Sequence, residues 1–297
     1  MSARLISRYA DDPRVVTVLL TALVAAALWL ATWQSMQGMA GMMDGMAMDA
    51  SDSMASGDSM AGSKPLATEM SSGTAGAPAM EMSGMTMDPS DWSARTIATT
   101  IAMWVLMMAA MMLPSMAPVM AIYAGLAAKE DRGARLALRI GLFAAGYFLL
   151  WAGFSVGAAF GQLALRGSEW FAMGGTLALP FAAGLLLIGA GAYQFTPVKE
   201  FCLRHCRHPL TYLMGHWREG LSGAFPVGAR HGVYCLGCCV ALMGLMFVFG
   251  AMNVAWMAVI ALYFLAEKIM PGAEIWGKAF GGLLILAGIV TLMRAVF

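Results

Sequence analysis

Residues 101–120 read IAMWVLMMAAMMLPSMAPVM. The run lies inside Thr96 to Leu126, a stretch without a charged residue. That is long enough to cross a bilayer, which takes about 20 apolar residues as a helix. Its methionines form two ladders of four-residue spacing: Met103, Met107 and Met111, then Met108, Met112, Met116 and Met120. Residues four apart stack on one helical face, so the helix carries two thioether stripes along its axis. Thioether sulfur is a soft ligand suited to Cu(I). Methionine is also a common packing residue, and for this segment alone packing is the preferred reading. Pro114 and Pro118 interrupt backbone hydrogen bonding and are expected to bend the segment.

The rest of the chain has the same character. It is 60% hydrophobic and 12% charged, with mean hydropathy +0.71. Soluble domains carry about 25% charged residues. Further apolar segments run Val15–Trp33, Ile140–Leu165, Gly174–Phe195, Gly232–Ala251, Val254–Met270 and Trp276–Val296. The expected fold is all-α: a polytopic integral membrane helical bundle of about seven transmembrane helices. Val254–Met270 is the weakest segment, compatible with a re-entrant or tilted helix. Gly153, Gly157 and Gly161 form a small-residue stripe that allows close helix approach. Glu267, Lys268, Arg139 and Lys278 fall near segment ends and read as interfacial anchors and caps rather than functional charges. The net charge of +1 gives no case for nucleic acid. The first apolar run lacks a nearby small-residue cleavage site and reads as a retained anchor.

Lys and Arg placement sets the orientation. Arg4, Arg8 and Arg14 precede the first segment, Lys129, Arg132 and Arg135 follow the second, and Lys199, Arg204, Arg207, Arg218 and Arg230 follow the fourth. With seven spans all of these lie in the cytoplasm, as expected for a protein of the bacterial inner membrane. Residues 1–35 then comprise the cytoplasmic amino terminus and first helix. Residues 36–94 form an extracytoplasmic loop, expected to be disordered without metal. Residues 95–297 make a membrane domain with a cytoplasmic loop at 197–231.

The outer loop is methionine-rich. Thirteen of the 52 residues from Met36 to Met87 are methionine, including Met36, Met39, Met42, Met43, Met46 and Met48. Leu66 is its single branched apolar residue and it has no aromatic one, so it cannot build a core. Linkers are normally rich in Ser, Gly and Pro. Soft-metal binding is therefore preferred over a linker of accidental composition. Thioether has no proton to lose, so it binds metal without a pH requirement.

All five cysteines and all four histidines fall within the 38 residues from Cys202 to Cys239. Cys235, Cys239, Met243 and Met246 share one helical face, with Cys238 beside them and His231 one turn before. Cys202, His205 and Cys206 lie in the preceding loop, where four-residue spacing suits Cu(I) and also zinc. The bland alternative is that the basic and histidine side chains bind anionic lipid head groups. Metal or redox chemistry is preferred. The stripes of the second and fifth segments are expected to face each other.

The stretches YQFTPVKEFCLRHCRHP, WREGLSGAF, GARHGVYCLGCCVALMGLMFVFGAMNVAWM and EKIMPGAEIWGKAFGGLLILAG, with MWVLMMAAMMLPSMAPVM, carry a resemblance. They resemble the predicted metal-binding integral membrane protein family, catalogued as a domain of unknown function. The resemblance implies a multi-span helical protein with a metal site at Cys202, Cys206, His231, Cys235, Cys238 and Cys239. It supplies no activity. Val240 stands after the cysteine pair where the family leads one to expect Trp.

The combined reading is a membrane Cu(I)-binding protein acting in copper transport, acquisition or delivery. Its partners would be the lipid bilayer, the metal ion, and a copper-dependent membrane enzyme or a soluble copper chaperone. There is no Gly-rich phosphate loop, so transport would be passive, coupled to another gradient, or driven by a partner. One alternative is a membrane thiol–disulfide oxidoreductase using Cys235 and Cys238. Its cysteines would lie on the reducing side, which disfavours it. Another is a structural accessory subunit of a larger membrane complex. A non-enzymatic role is preferred. A peptide of residues 36–87 is expected to bind Cu(I) or Ag(I) under reducing conditions and to leave Zn(II) free at neutral pH. Titration with the three ions checks this, and comparable zinc binding would refute it.

Overall fold

The computed structural model describes residues 12–55, 92–165, 171–172, 176–177, 179–250 and 253–296. The described residues form ten helices. They are α1 (Pro13–Ala55), α2 (Ala94–Ala127), α3 (Gly133–Leu165), α4 (Pro180–Tyr193) and α5 (Pro197–Arg207). After these come α6 (Pro209–His216), α7 (Gly220–Met243), α8 (Leu245–Phe249), α9 (Val254–Ile269) and α10 (Ala273–Val296). A two-residue antiparallel ladder, Phe171–Ala172 with Thr176–Leu177, lies between α3 and α4.

The helix starts are written locally. The Ser93 hydroxyl accepts from the Thr96 amide at α2, and the Thr196 hydroxyl from the Lys199 amide at α5. The Asn253 side chain accepts from the Ala255 and Trp256 amides at α9. Each satisfies an amide that the first turn leaves open. Pro180, Pro197 and Pro209 stand in first turns, where a missing N–H costs nothing. Between α9 and α10, Pro271 ends one helix and Gly272 turns the chain at φ +73°.

Among the described residues, five helices are long and apolar enough to cross a membrane: Pro13–Gln34, Ala94–Ala127, Gly133–Leu165, Gly220–Phe249 and Ala273–Ala295. A sixth span is counted if α4 and α5, which meet at 62°, are one broken crossing. About seven are expected, and the described residues give five or six. The difference falls on α9, which has 16 residues, and at five spans also on α4, which has 14. Residues 197–231, read as a loop, are largely helical: they hold α5, α6 and the first turns of α7. Helix α1 continues to Ala55, into the methionine-rich stretch. The side chains of Met36, Met39, Met42, Met43, Met46 and Met48 fall outside the described residues, as does the segment 56–91.

The most extensive helix pairings are α3 with α7, α4 with α10 and α1 with α2. The α3–α7 crossing is set by glycines outside the predicted stripe. A methyl group on Gly146 would strike the Phe225 carbonyl, and one on Gly228 the Phe143 carbonyl. Gly153, Gly157 and Gly161 instead face open space, where a methyl group would meet no packing partner within 4 Å. Four-residue spacing identifies a small-residue face on α3, but the partner crosses one to two turns earlier. Gly184 and Gly191 play the same part against α10.

The reading of Arg139 as an edge anchor is corrected. Its side chain is fully buried, donating to Glu130 at 2.6 Å, Asp131 at 2.7 Å and the Arg218 carbonyl at 3.2 Å. Its guanidinium lies over the Trp217 ring. Trp217 Nε1 in turn donates to Glu130. This cluster ties the α2–α3 turn to the connection between α6 and α7. Next to it, Tyr212 of α6 donates to the Val227 carbonyl of α7 at 2.8 Å, and burial pushes its phenol up, so it stays a donor.

Gly228→Ala is expected to destabilise the folded protein by about 1–3 kcal/mol through overpacking. Gly157→Ala is expected to be neutral or slightly stabilising. Denaturant unfolding of both variants in detergent micelles checks the pair.

Candidate metal centre

Helix α7 presents Cys235, Cys238 and Cys239 to the interior, all at most 1% exposed. Helix α5 lies across it and brings Cys206, also buried, to the same point. The sulfur atoms of Cys206, Cys235 and Cys238 all lie within 4.8 Å of one another. Cys239 Sγ is 3.3 Å from Cys238 Sγ. The three converging thiols therefore come from two helices, and the i,i+4 pair Cys235–Cys239 is not by itself the centre. Spacing along α7 could not show that Cys206 and Cys238 complete the group, since Cys206 arrives across a bend in the chain.

Gly237 explains the glycine inside CLGCC. Cys202 packs on it so closely that a methyl group there would sit 2.6 Å from Cys202 Sγ. The Tyr193 hydroxyl donates to the Gly237 carbonyl at 2.5 Å. Cys202 is thus at the border of the thiol cluster. The histidines are placed differently. His205 is half-buried, stacks on Tyr234 with centroids 4.3 Å apart, and has Nδ1 2.8 Å from the Phe201 carbonyl. His231 is buried one turn before Cys235 and stacks on Tyr147, and its Nδ1 has no hydrogen-bond partner. Neither joins the group of converging ligand atoms.

Two further groups meet at Cys235. The Tyr147 hydroxyl of α3 lies 3.0 Å from its sulfur. Lys268 Nζ of α9 lies 3.1 Å from the same sulfur and 2.9 Å from Ser115 Oγ of α2. The reading of Lys268 as an interfacial anchor is corrected: its ammonium points inward, to a thiol. The reading of Glu267 is corrected likewise. Glu267 is 6% exposed and pairs with buried Lys199 of α5 at 2.5 Å, with Tyr263 donating to the same carboxylate. Lys199 also donates to Gln194. Glu267 and Lys268 sit in the EKIMPG stretch before the turn, which hydropathy alone reads as a segment end. Tyr147 and Ser115 carry no sequence signal, because single hydroxyls in apolar helices are common.

The methionine ladders of α2 point inward. Met107, Met108, Met111, Met112 and Met116 are each at most 1% exposed, Met120 is buried, and Met103 is half-buried. They belong to the same apolar core as the cysteines, Met243 and Met246. The two sulfur-bearing helices are bridged through α9 rather than laid face to face. Met112 Sδ lies 4.0 Å from Ser115 Oγ, and Ser115 accepts from Lys268, whose Nζ reaches Cys235.

Fold and site together define a helical protein of membrane-spanning dimensions with a buried thiol cluster whose geometry could hold a metal ion. Residues 101–291 match the PpoB2 family, described as a copper chaperone, and the chain belongs to that family. Nothing among the curated proteins or the solved structures matches it. The matched region contains the inward methionines, the cysteine cluster and Lys268, and leaves out the methionine-rich stretch.

Removing one partner of the buried Lys199–Glu267 pair strands the other charge. Glu267→Ala is expected to cost about 3–5 kcal/mol, whereas the double variant Lys199→Met/Glu267→Met recovers most of the loss. Unfolding of the three proteins in micelles checks this.

Proposed function

We propose that this protein is a membrane-embedded Cu(I) chaperone whose cargo site is Cys206, Cys235 and Cys238. The observation that carries the reading is the convergence of three buried thiols from two helices in a member of a copper-chaperone family. Three sulfurs within 4.8 Å of one another match the two- or three-coordinate geometry that a monovalent soft ion accepts. Cys239 and Cys202, at the margin of the trio, are the next thiols along a path of exchange, with His231 one turn away.

In this reading the methionine-rich segment 36–87 captures the ion on the extracytoplasmic face. The inward ladders of α2 hold soft ligands between that face and the thiols. The thiols receive the ion and yield it to a copper-requiring membrane enzyme or a soluble carrier. With α4 and α5 counted as one broken crossing, the distribution of basic residues favours a site toward the cytoplasmic side of an inner-membrane protein. The oxidoreductase alternative is disfavoured because its thiols would lie on the reducing side of the membrane.

The full-length protein, purified under reducing conditions, is expected to hold copper that Cys206→Ser/Cys235→Ser/Cys238→Ser loses. Deletion of 36–87 should leave this fraction in place. Metal-to-protein ratios of proteins that remain monodisperse on gel filtration check it. A triple variant with wild-type copper content would refute the site.

A further inference from the structure

Among the described residues, three Lys or Arg side chains reach into the helical core, and two of them are matched by carboxylates. Arg139 has Glu130 and Asp131. Lys199 has Glu267. Lys268 differs. Its described contacts are the Ser115 hydroxyl and the Cys235 sulfur, and it joins no ion pair among the described residues. The neighbouring acid, Glu267, is committed to Lys199. A flexible ammonium is thus held beside one sulfur of the thiol cluster and balanced by no carboxylate.

This arrangement bears on a choice that sulfur chemistry leaves open. Cysteine thiolates bind Cu(I) and Zn(II) alike, and both ions are closed-shell d10 without a ligand-field preference. They differ in charge. A fixed positive charge opposes a divalent ion twice as strongly as a monovalent one at the same position. The difference is large in a buried, weakly screened site. The sign of this argument does not depend on how many thiolates surround the ion, because the ligand set is common to both.

We propose that Lys268 sets the charge preference of the thiol site, favouring a monovalent soft ion over a divalent one. The inference rests on Cys206, Cys235 and Cys238 being the cargo site and adds the residue that determines its specificity. Ser115 is the positioning partner, holding the ammonium within 3.1 Å of Cys235 without neutralising it.

The test compares Cu(I) and Zn(II) affinities, each by chelator competition, in the full-length protein in micelles. Ag(I) and Cd(II) serve as a second isoelectronic pair. Lys268→Gln is expected to raise the Zn(II)-to-Cu(I) affinity ratio by roughly tenfold or more. The Ag(I)–Cd(II) pair should move in the same direction. Lys268→Arg, which keeps the charge, should stay near wild type. Ser115→Asp keeps the lysine but gives it a carboxylate, and should shift the ratio as Lys268→Gln does. That variant also serves if Lys268→Gln does not fold. A purely structural lysine would change both affinities together and leave the ratio fixed, which would overturn the proposal. So would Lys268→Arg shifting as far as Lys268→Gln. If neither metal depends on the three cysteines in the wild-type protein, the cargo site itself fails. If copper depends on them while the ratio is insensitive to Lys268 and Ser115, only the role of Lys268 fails.

Discussion

The backbone contact between α3 and α7 at Gly146 and Gly228 positions everything else in the site. Each glycine sits where the other helix's carbonyl leaves no room for a side chain. In lipid there is little hydrophobic gain from bringing two helices together, so close van der Waals approach is what holds them. With α7 seated there, the side of it that bears the cysteines is turned toward the interior. Tyr147, one turn along α3 from Phe143, falls beside Cys235. Helix α5 then crosses the same helix and delivers Cys206. A methyl group at either glycine would separate Tyr147 from Cys235 before it touched any sulfur.

Charge inside the bundle is used in distinct ways. The Arg139 cluster fastens the short helix α6 and its connection to the turn between α2 and α3, with an aromatic ring covering the guanidinium. The Lys199–Glu267 pair locks α5 to α9. Buried pairs of this kind are poor sources of net stability, but they specify one arrangement among many apolar ones. Lys268 stands apart in facing sulfur. Thus α9, the helix too short to count as a span, carries on consecutive residues the charge that fixes the frame and the charge that faces the site.

Much of the architecture is legible in the sequence because its determinants are local. Hydropathy locates the long helices, the four-residue methionine ladders mark the buried face of α2, and the clustering of cysteine falls on the 38 residues that hold the converging thiols. What stays hidden depends on tertiary approach. The stripe Gly153–Gly157–Gly161 has the right spacing, whereas Gly146 and Gly228 do the packing, since which glycine meets a carbonyl depends on where the partner crosses. The pairing of Cys206 with Cys235 and Cys238 depends on the 62° bend between α4 and α5, which Pro197 permits but does not fix. Arg139, Glu267 and Lys268 escape a sequence reading for one reason. Hydropathy treats a charge near the end of an apolar run as facing water, and cannot see that a partner helix extends past it.

Burial of the thiols also has a kinetic side. Cys206, Cys235 and Cys238 are at most 4% exposed, and the helix that covers them is the eleven-residue α5. In the proposed chaperone an acceptor has to meet a sulfur directly, so α5, which itself carries Cys206, has to shift before an ion could change hands. What resists that shift is the Lys199–Glu267 pair between α5 and α9, neither residue of which is one of the three thiols. In that reading the thiols set how tightly an ion is held, and the pair that pins α5 sets how readily an acceptor gains access to it.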